Sequence, residues 1–186
     1  MNKLLIFLLG IFAAFSALII QILAVIIFPS LSNFTSSKEI GYLILFAIFS
    51  EEVLKFSLIW KIFNNFKKQT NLFLDSFILG FGFAITEIVF NVFSDYRINL
   101  EVFLAYSGLL LIHVVITSFY GLYFFKKRNS VIWKNLPTFG IGLLVHFFFN
   151  LGVFYEINMF LLDSFLVIIM IILIKAYFLA KKEKIN

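Results

Sequence analysis

What most constrains this chain is a succession of apolar runs, each about 20 residues or longer, the length an α-helix needs to cross the hydrocarbon core of a bilayer. Of its 186 residues, 62% are hydrophobic and only 13% charged, against about 25% charged in soluble globular domains. The reading is an all-α, polytopic membrane protein: a bundle of about six transmembrane helices forming one integral membrane domain over residues 1–186. The spans fall at about 3–28, 39–63, 71–93, 100–125, 136–154 and 157–180. The first run begins like a signal peptide, with small residues at Ala14 and Ala17, but continues to Phe28. That length favours an uncleaved helix. Asn135 is an expected N-cap for the fifth helix, with Pro137 tolerated in its first turn.

The net charge of +5 does not point to nucleic acid, because the basic residues lie in short clusters between apolar runs. Lys3, Lys61, Lys67, Lys68, Lys126, Lys127, Arg128, Lys134 and the C-terminal lysines fall on one side, and Lys38 and Arg97 on the other. By the positive-inside rule both termini are cytoplasmic. There is no cysteine, and hence no disulfide framework, thiol nucleophile or cysteine-ligated metal.

The anomaly is Glu51-Glu52-Val53-Leu54-Lys55, which places three charges in the middle of the second span. Each costs roughly 2.5–3.5 kcal/mol on insertion scales, so they require partners. At about 1.5 Å per residue, Glu51 and Glu52 lie close to the bilayer midplane. Glu87, His113 and His146 reach the middle or outer half from three further helices. A shared polar cavity is the simplest arrangement that keeps all of them from lipid. His146 with Asn150, His113 with Thr117, and Glu87 with Asn91 are spaced i,i+4, so each pair shares a helix face. Gly80 and Ala84 form a small-residue face suited to close helix approach. Lys61, Lys175, Asp75 and Asp163 lie nearer helix ends, where snorkelling or first-turn placement accounts for them.

A buried ion pair of Lys55 with either glutamate is the structural explanation of this motif. One lysine cannot neutralise two carboxylates, however, which leaves a carboxylate free for proton transfer, as a general base requires. A lone intramembrane histidine more often makes an interhelical hydrogen bond. Two histidines at the depth of two glutamates point to chemistry. No HExxH zinc motif, GxSxG serine elbow or aspartate pair within the spans is present. Two histidines with a glutamate are nonetheless acceptable ligands for a divalent metal such as zinc, and Glu51, Glu87, His113 and His146 would supply them.

These motifs resemble those of PrsW-type glutamic intramembrane proteases. Glu51-Glu52-Val53-Leu54-Lys55 resembles their EExxK, Gly82-Phe83-Ala84-Ile85-Thr86-Glu87 their GFAxxE, the stretch from His113 through Thr117 to Gly121 their HxxxTxxxG, and His146 to Asn150 their HxxxN. The four occur in order on separate helices. One departure is Ile88, where the family usually has Asn directly after the glutamate; Asn91 follows one turn on. The family is similar in turn to CAAX-processing proteases and to bacteriocin-immunity membrane proteins.

The resemblance implies an intramembrane endopeptidase that cleaves a membrane-anchored protein substrate with a glutamate-activated water, in a bacterial inner membrane. An anti-sigma factor in envelope-stress signalling is the implied target. On this reading Glu51 is the general base, and Glu52 with Lys55 holds charge and geometry. His113 shares the proton transfers, His146 and Asn150 donate to the oxyanion, and Glu87 orients a histidine. No cofactor is expected unless the metal alternative holds. The reading from another class is a non-catalytic membrane scaffold or immunity-type protein that uses the same buried cluster to hold a partner's helix.

Overall fold

A computed structural model describes residues 2–32, 42–65, 71–94, 99–126 and 135–183. The described residues form six α-helices, with a 3-10 turn at Pro29–Ser32. They are α1 (Lys3–Ile27), α2 (Tyr42–Asn65), α3 (Leu72–Ser94), α4 (Leu100–Lys126), α5 (Leu136–Phe154) and α6 (Met159–Glu183). By length and composition, α1, α3, α4, α5 and α6 are apolar enough to cross a membrane. The remaining helix, α2, has the length but carries Glu51, Glu52, Lys55 and Lys61.

The helix ends differ from the sequence reading for local reasons. Residues 39–41, expected to begin the second helix, lie outside the described residues. Asn158 takes the cap of α6, its side-chain oxygen accepting from the Phe160 N–H, so the helix starts two residues later than expected. Asn135 does precede α5, with proline in the first turn, but its backbone is helical (φ −104°, ψ −1°) and its side chain makes no capping hydrogen bond. A capping side chain needs an extended backbone to fold back on the first turn. Asn2 meets that condition at α1 and accepts from the Leu4 N–H.

Helices α3 and α4 pack antiparallel at close range: Gly80 lies against Thr117 and the His113 carbonyl, and Gly121 lies against Ser76 and the Leu72 carbonyl. The small-residue face read at Gly80 is therefore a real contact. Helix α1 runs parallel to α3. A Cβ added at Gly10 would fall 2.1 Å from the Leu79 carbonyl oxygen, and one at Gly82 would fall 2.3 Å from that of Phe7. Without side chains at these two sites the backbones touch, which is how helices gain packing energy where lipid removes the hydrophobic drive. Lys3 pairs with Asp75 at one end of this contact, and Phe15 meets Phe90 edge-on at the other.

On the opposite flank α6 runs parallel to α4, from the Ser107–Asp163 hydrogen bond to the Phe125–Tyr177 ring contact. Helix α5 lies antiparallel to α2 and joins α6 through a turn in which Glu156 adopts φ 54°. The helices thus alternate in direction, and the start of α1 and the end of α6 lie on one side of the bundle. Large apolar side chains such as Phe12, Phe103, Phe148 and Phe165 point outward, more than 60% exposed, while Glu52, Lys55, His113 and Thr117 are fully buried. Charged and polar groups inside, with large apolar side chains on the outer surface, is the distribution expected of a protein whose solvent is lipid. The chain is an integral, multi-pass membrane protein.

Candidate active site

The charged residues of α2 face the interior because α4 and α5 present polar groups at the same depth. Glu52 is the hub. Its Oε1 lies 2.5 Å from Lys55 Nζ, one turn along the same helix, and 2.7 Å from His146 Nδ1 on α5. Its Oε2 accepts from the Tyr120 hydroxyl on α4 at 2.8 Å. Gly142 makes that last bond possible, because a Cβ there would fall 2.0 Å from the Tyr120 oxygen.

Lys55 continues the chain of contacts. Its Nζ lies 2.9 Å from His113 Nδ1 and sits over the Phe83 ring, 4.8 Å from the centroid. His113 Nε2 is 2.5 Å from Glu87 Oε2 on α3. The two imidazoles meet edge to face, with centroids 5.2 Å apart. Four helices therefore hold Glu87, His113, Lys55, Glu52 and His146 in one unbroken series of polar contacts.

Glu51 stands apart from that series. Its Oε1 accepts from the Gln21 side-chain amide of α1 at 3.3 Å. Its Oε2 is buried and has no hydrogen-bond partner. His146 Nε2 lies 3.9 Å from it, too far for a hydrogen bond but a span that one atom bonded to both would bridge. Glu51 and Glu52, adjacent in sequence, thus occupy opposite conditions: one saturated, the other with an oxygen to spare.

Most of the residues singled out from the sequence converge here: Glu51, Glu52, Lys55, Glu87, His113 and His146. Asn150 lies one turn from His146, and its amide donates to the His146 backbone carbonyl at 3.2 Å, a bond that occupies one of its two N–H donors. Thr117 likewise donates to backbone oxygens of its own helix. Asp163 and Asp75 bond elsewhere, to Ser107 and Lys3, while Lys61 and Lys175 remain exposed. Two contributors were not read from the sequence. Tyr120 was hidden inside the HxxxTxxxG stretch, and Gln21 is a lone amide in a helix that otherwise reads as hydrophobic filler. A polar side chain at mid-depth in an apolar run was the available signal for Gln21.

The same side chains could hold a divalent ion if His113 gave up its bond to Lys55 or Glu87. Glu51, His113 and His146 each offer one donor atom, and these lie within 4.8 Å of one another. A buried carboxylate oxygen without a partner, facing an imidazole nitrogen, is a donor set suited to zinc. The His146–Glu52 contact supplies the outer carboxylate that metal-bound histidines usually have.

No curated protein and no solved structure matches this chain. A protein-family model described as "PrsW family intramembrane metalloprotease" matches residues 2–177, from α1 through most of α6 and including every residue of the site. The chain belongs to the PrsW family of intramembrane proteases.

Proposed function

We propose that this protein is an endopeptidase that cleaves a membrane-anchored protein substrate within the bilayer, using a water activated by Glu51. The observation that carries this reading is the unpartnered Glu51 Oε2 opposite His146 Nε2 at 3.9 Å, while Glu52 is fully engaged by Lys55, His146 and Tyr120. A water held between these two atoms gives up a proton to the carboxylate as its oxygen attacks the scissile carbonyl carbon. Collapse of the tetrahedral intermediate breaks the C–N bond, and the proton passes to the leaving amine.

This arrangement supports His146, rather than His113, as the partner of Glu51 in proton transfer. Lys55 holds the Glu52 carboxylate, and Glu87 orients His113. Asn150 serves the oxyanion through the second N–H of its amide, the first being held by the His146 carbonyl. Glu51, His113 and His146 would hold a divalent ion such as zinc, which when bound supplies a Lewis acid that polarises water and carbonyl. We assign the basic side of the bundle to the cytoplasm of a bacterial inner membrane, and a membrane-anchored anti-sigma factor is the substrate class that the family resemblance favours.

The test is reconstitution in liposomes with single-span protein substrates. Glu51→Gln and His146→Ala should each lower cleavage by about 10²-fold or more. Cleavage that survives both substitutions overturns the mechanism. Chelation of the wild-type enzyme separates the two forms of the reaction: activity lost to a chelator and restored by zinc assigns the ion, and unchanged activity assigns water activation to the protein groups alone.

A further inference from the structure

The polar series around Glu52 also fixes where the protons sit on the two imidazoles. A lysine ammonium has three donors and no acceptor, an ionised carboxylate accepts only, and a neutral imidazole has one nitrogen of each kind. Lys55 Nζ lies 2.9 Å from His113 Nδ1, so that nitrogen must be the acceptor. The ring proton of His113 is then on Nε2, directed at Glu87 Oε2 at 2.5 Å. Glu52 Oε1 takes a bond from Lys55 and lies 2.7 Å from His146 Nδ1. That contact requires a proton on Nδ1, which leaves the His146 Nε2 lone pair facing Glu51.

We propose that Lys55 is a positioning residue that holds the two histidines in opposite tautomers: His113 together with Glu87, as the Nε2–H form, and His146 through Glu52, as the Nδ1–H form. The placement of Nζ over the Phe83 ring face, 4.8 Å from its centroid, suits a cation. The consequence concerns the site of chemistry. His146 offers a lone pair to whatever lies beside Glu51, whereas His113 offers none until it releases Lys55 or Glu87. His113 can therefore join a metal ion only at the expense of one of those two bonds. This catalytic consequence rests on the reading of Glu51 and His146 as the water-activating pair. The tautomers themselves do not.

The chain has two histidines in all, so the nitrogen spectrum is simple. Full-length protein, purified through a tag without histidine and labelled with 15N-histidine in lipid nanodiscs, should show one protonated and one bare nitrogen per ring. His113→Gln and His146→Gln assign the signals. In the wild type, His113 is expected as Nε2–H and His146 as Nδ1–H. Lys55→Arg keeps a cationic donor and should retain that pattern, whereas Lys55→Met should take the donor away from His113 Nδ1 and move that nitrogen's resonance toward the value of an unbonded imine nitrogen, the ring proton staying on Nε2 against Glu87. The proposal is overturned by a wild-type His113 protonated on Nδ1, by either ring protonated on both nitrogens, or by an unchanged His113 spectrum in Lys55→Met. If Lys55→Met does not fold, the wild-type and Lys55→Arg spectra decide. These spectra do not depend on cleavage, so a failure of the protease reading and a failure of the tautomer assignment are separate results.

Discussion

At the scale of single residues, the pair Glu51 and Glu52 shows how two identical side chains, one peptide bond apart, acquire different chemistry from their surroundings. Glu52 is bonded to Lys55, His146 and Tyr120 and is fully buried, so its freedom to exchange protons is low. Glu51 keeps one oxygen unbonded. Tyr120→Phe removes one donor from Glu52 and is expected to cost about 1–3 kcal/mol, the penalty for leaving a buried acceptor short of a partner. Reversible unfolding in detergent micelles measures it, and a change below about 0.5 kcal/mol would show that the hydroxyl bond contributes little. The glutamates, the lysine and the histidines were legible in the sequence because a formal charge or an imidazole at mid-membrane demands explanation. Tyr120 and Gln21 were not, because an uncharged polar side chain in an apolar helix is tolerated for many reasons. Nor did the sequence tell which glutamate would be saturated, since both can reach Lys55 along the helix. The distinction comes from α4 and α5, which bring Tyr120 and His146 to Glu52.

At the scale of helices, the bundle is held by close backbone approach as much as by side-chain burial. Gly10 on α1 and Gly82 on α3 each face a carbonyl of the other helix at a distance no Cβ tolerates. Gly10→Leu should therefore force α1 and α3 apart, at a cost of about 1–3 kcal/mol or more, and should weaken the Gln21–Glu51 bond that depends on their packing. Gly140 on α5 has nothing within 4 Å of an added Cβ, so Gly140→Ala should change stability by no more than about 1 kcal/mol. Thermal unfolding of both variants in the same lipid provides the comparison. Helix number and approximate ends were readable from apolar run length. The ends moved where one side chain decides the first turn, as Asn158 does and Asn135 does not. The role of α1 could not be read at all, because no run-length or charge pattern records that two glycines on different helices oppose one another.

At the scale of the whole molecule, α1 and α3 run parallel, α4 and α6 run parallel, and the two sets are opposed. This up-and-down order was legible from the alternation of basic and neutral connections. The convergence of Glu87, His113 and His146 on α2 was foreseen from their depth alone. The pairings within the site were not, since depth places groups in a layer without saying which face of each helix meets which. One feature of the layer bears on how the protein is made. Helix α2 is the span that falls short in apolar character, and the groups that satisfy its charges come from α4 and α5, which are synthesised later. Biogenesis should therefore be out of order. A nascent chain ending after α3 should leave α2 at the membrane surface, and insertion should become efficient once residues through α5 have emerged. Glycosylation acceptor sites placed on either side of α2 in a truncation series report this directly. Full insertion of α2 in the shortest chains would show that the helix enters the bilayer with its charges unpartnered.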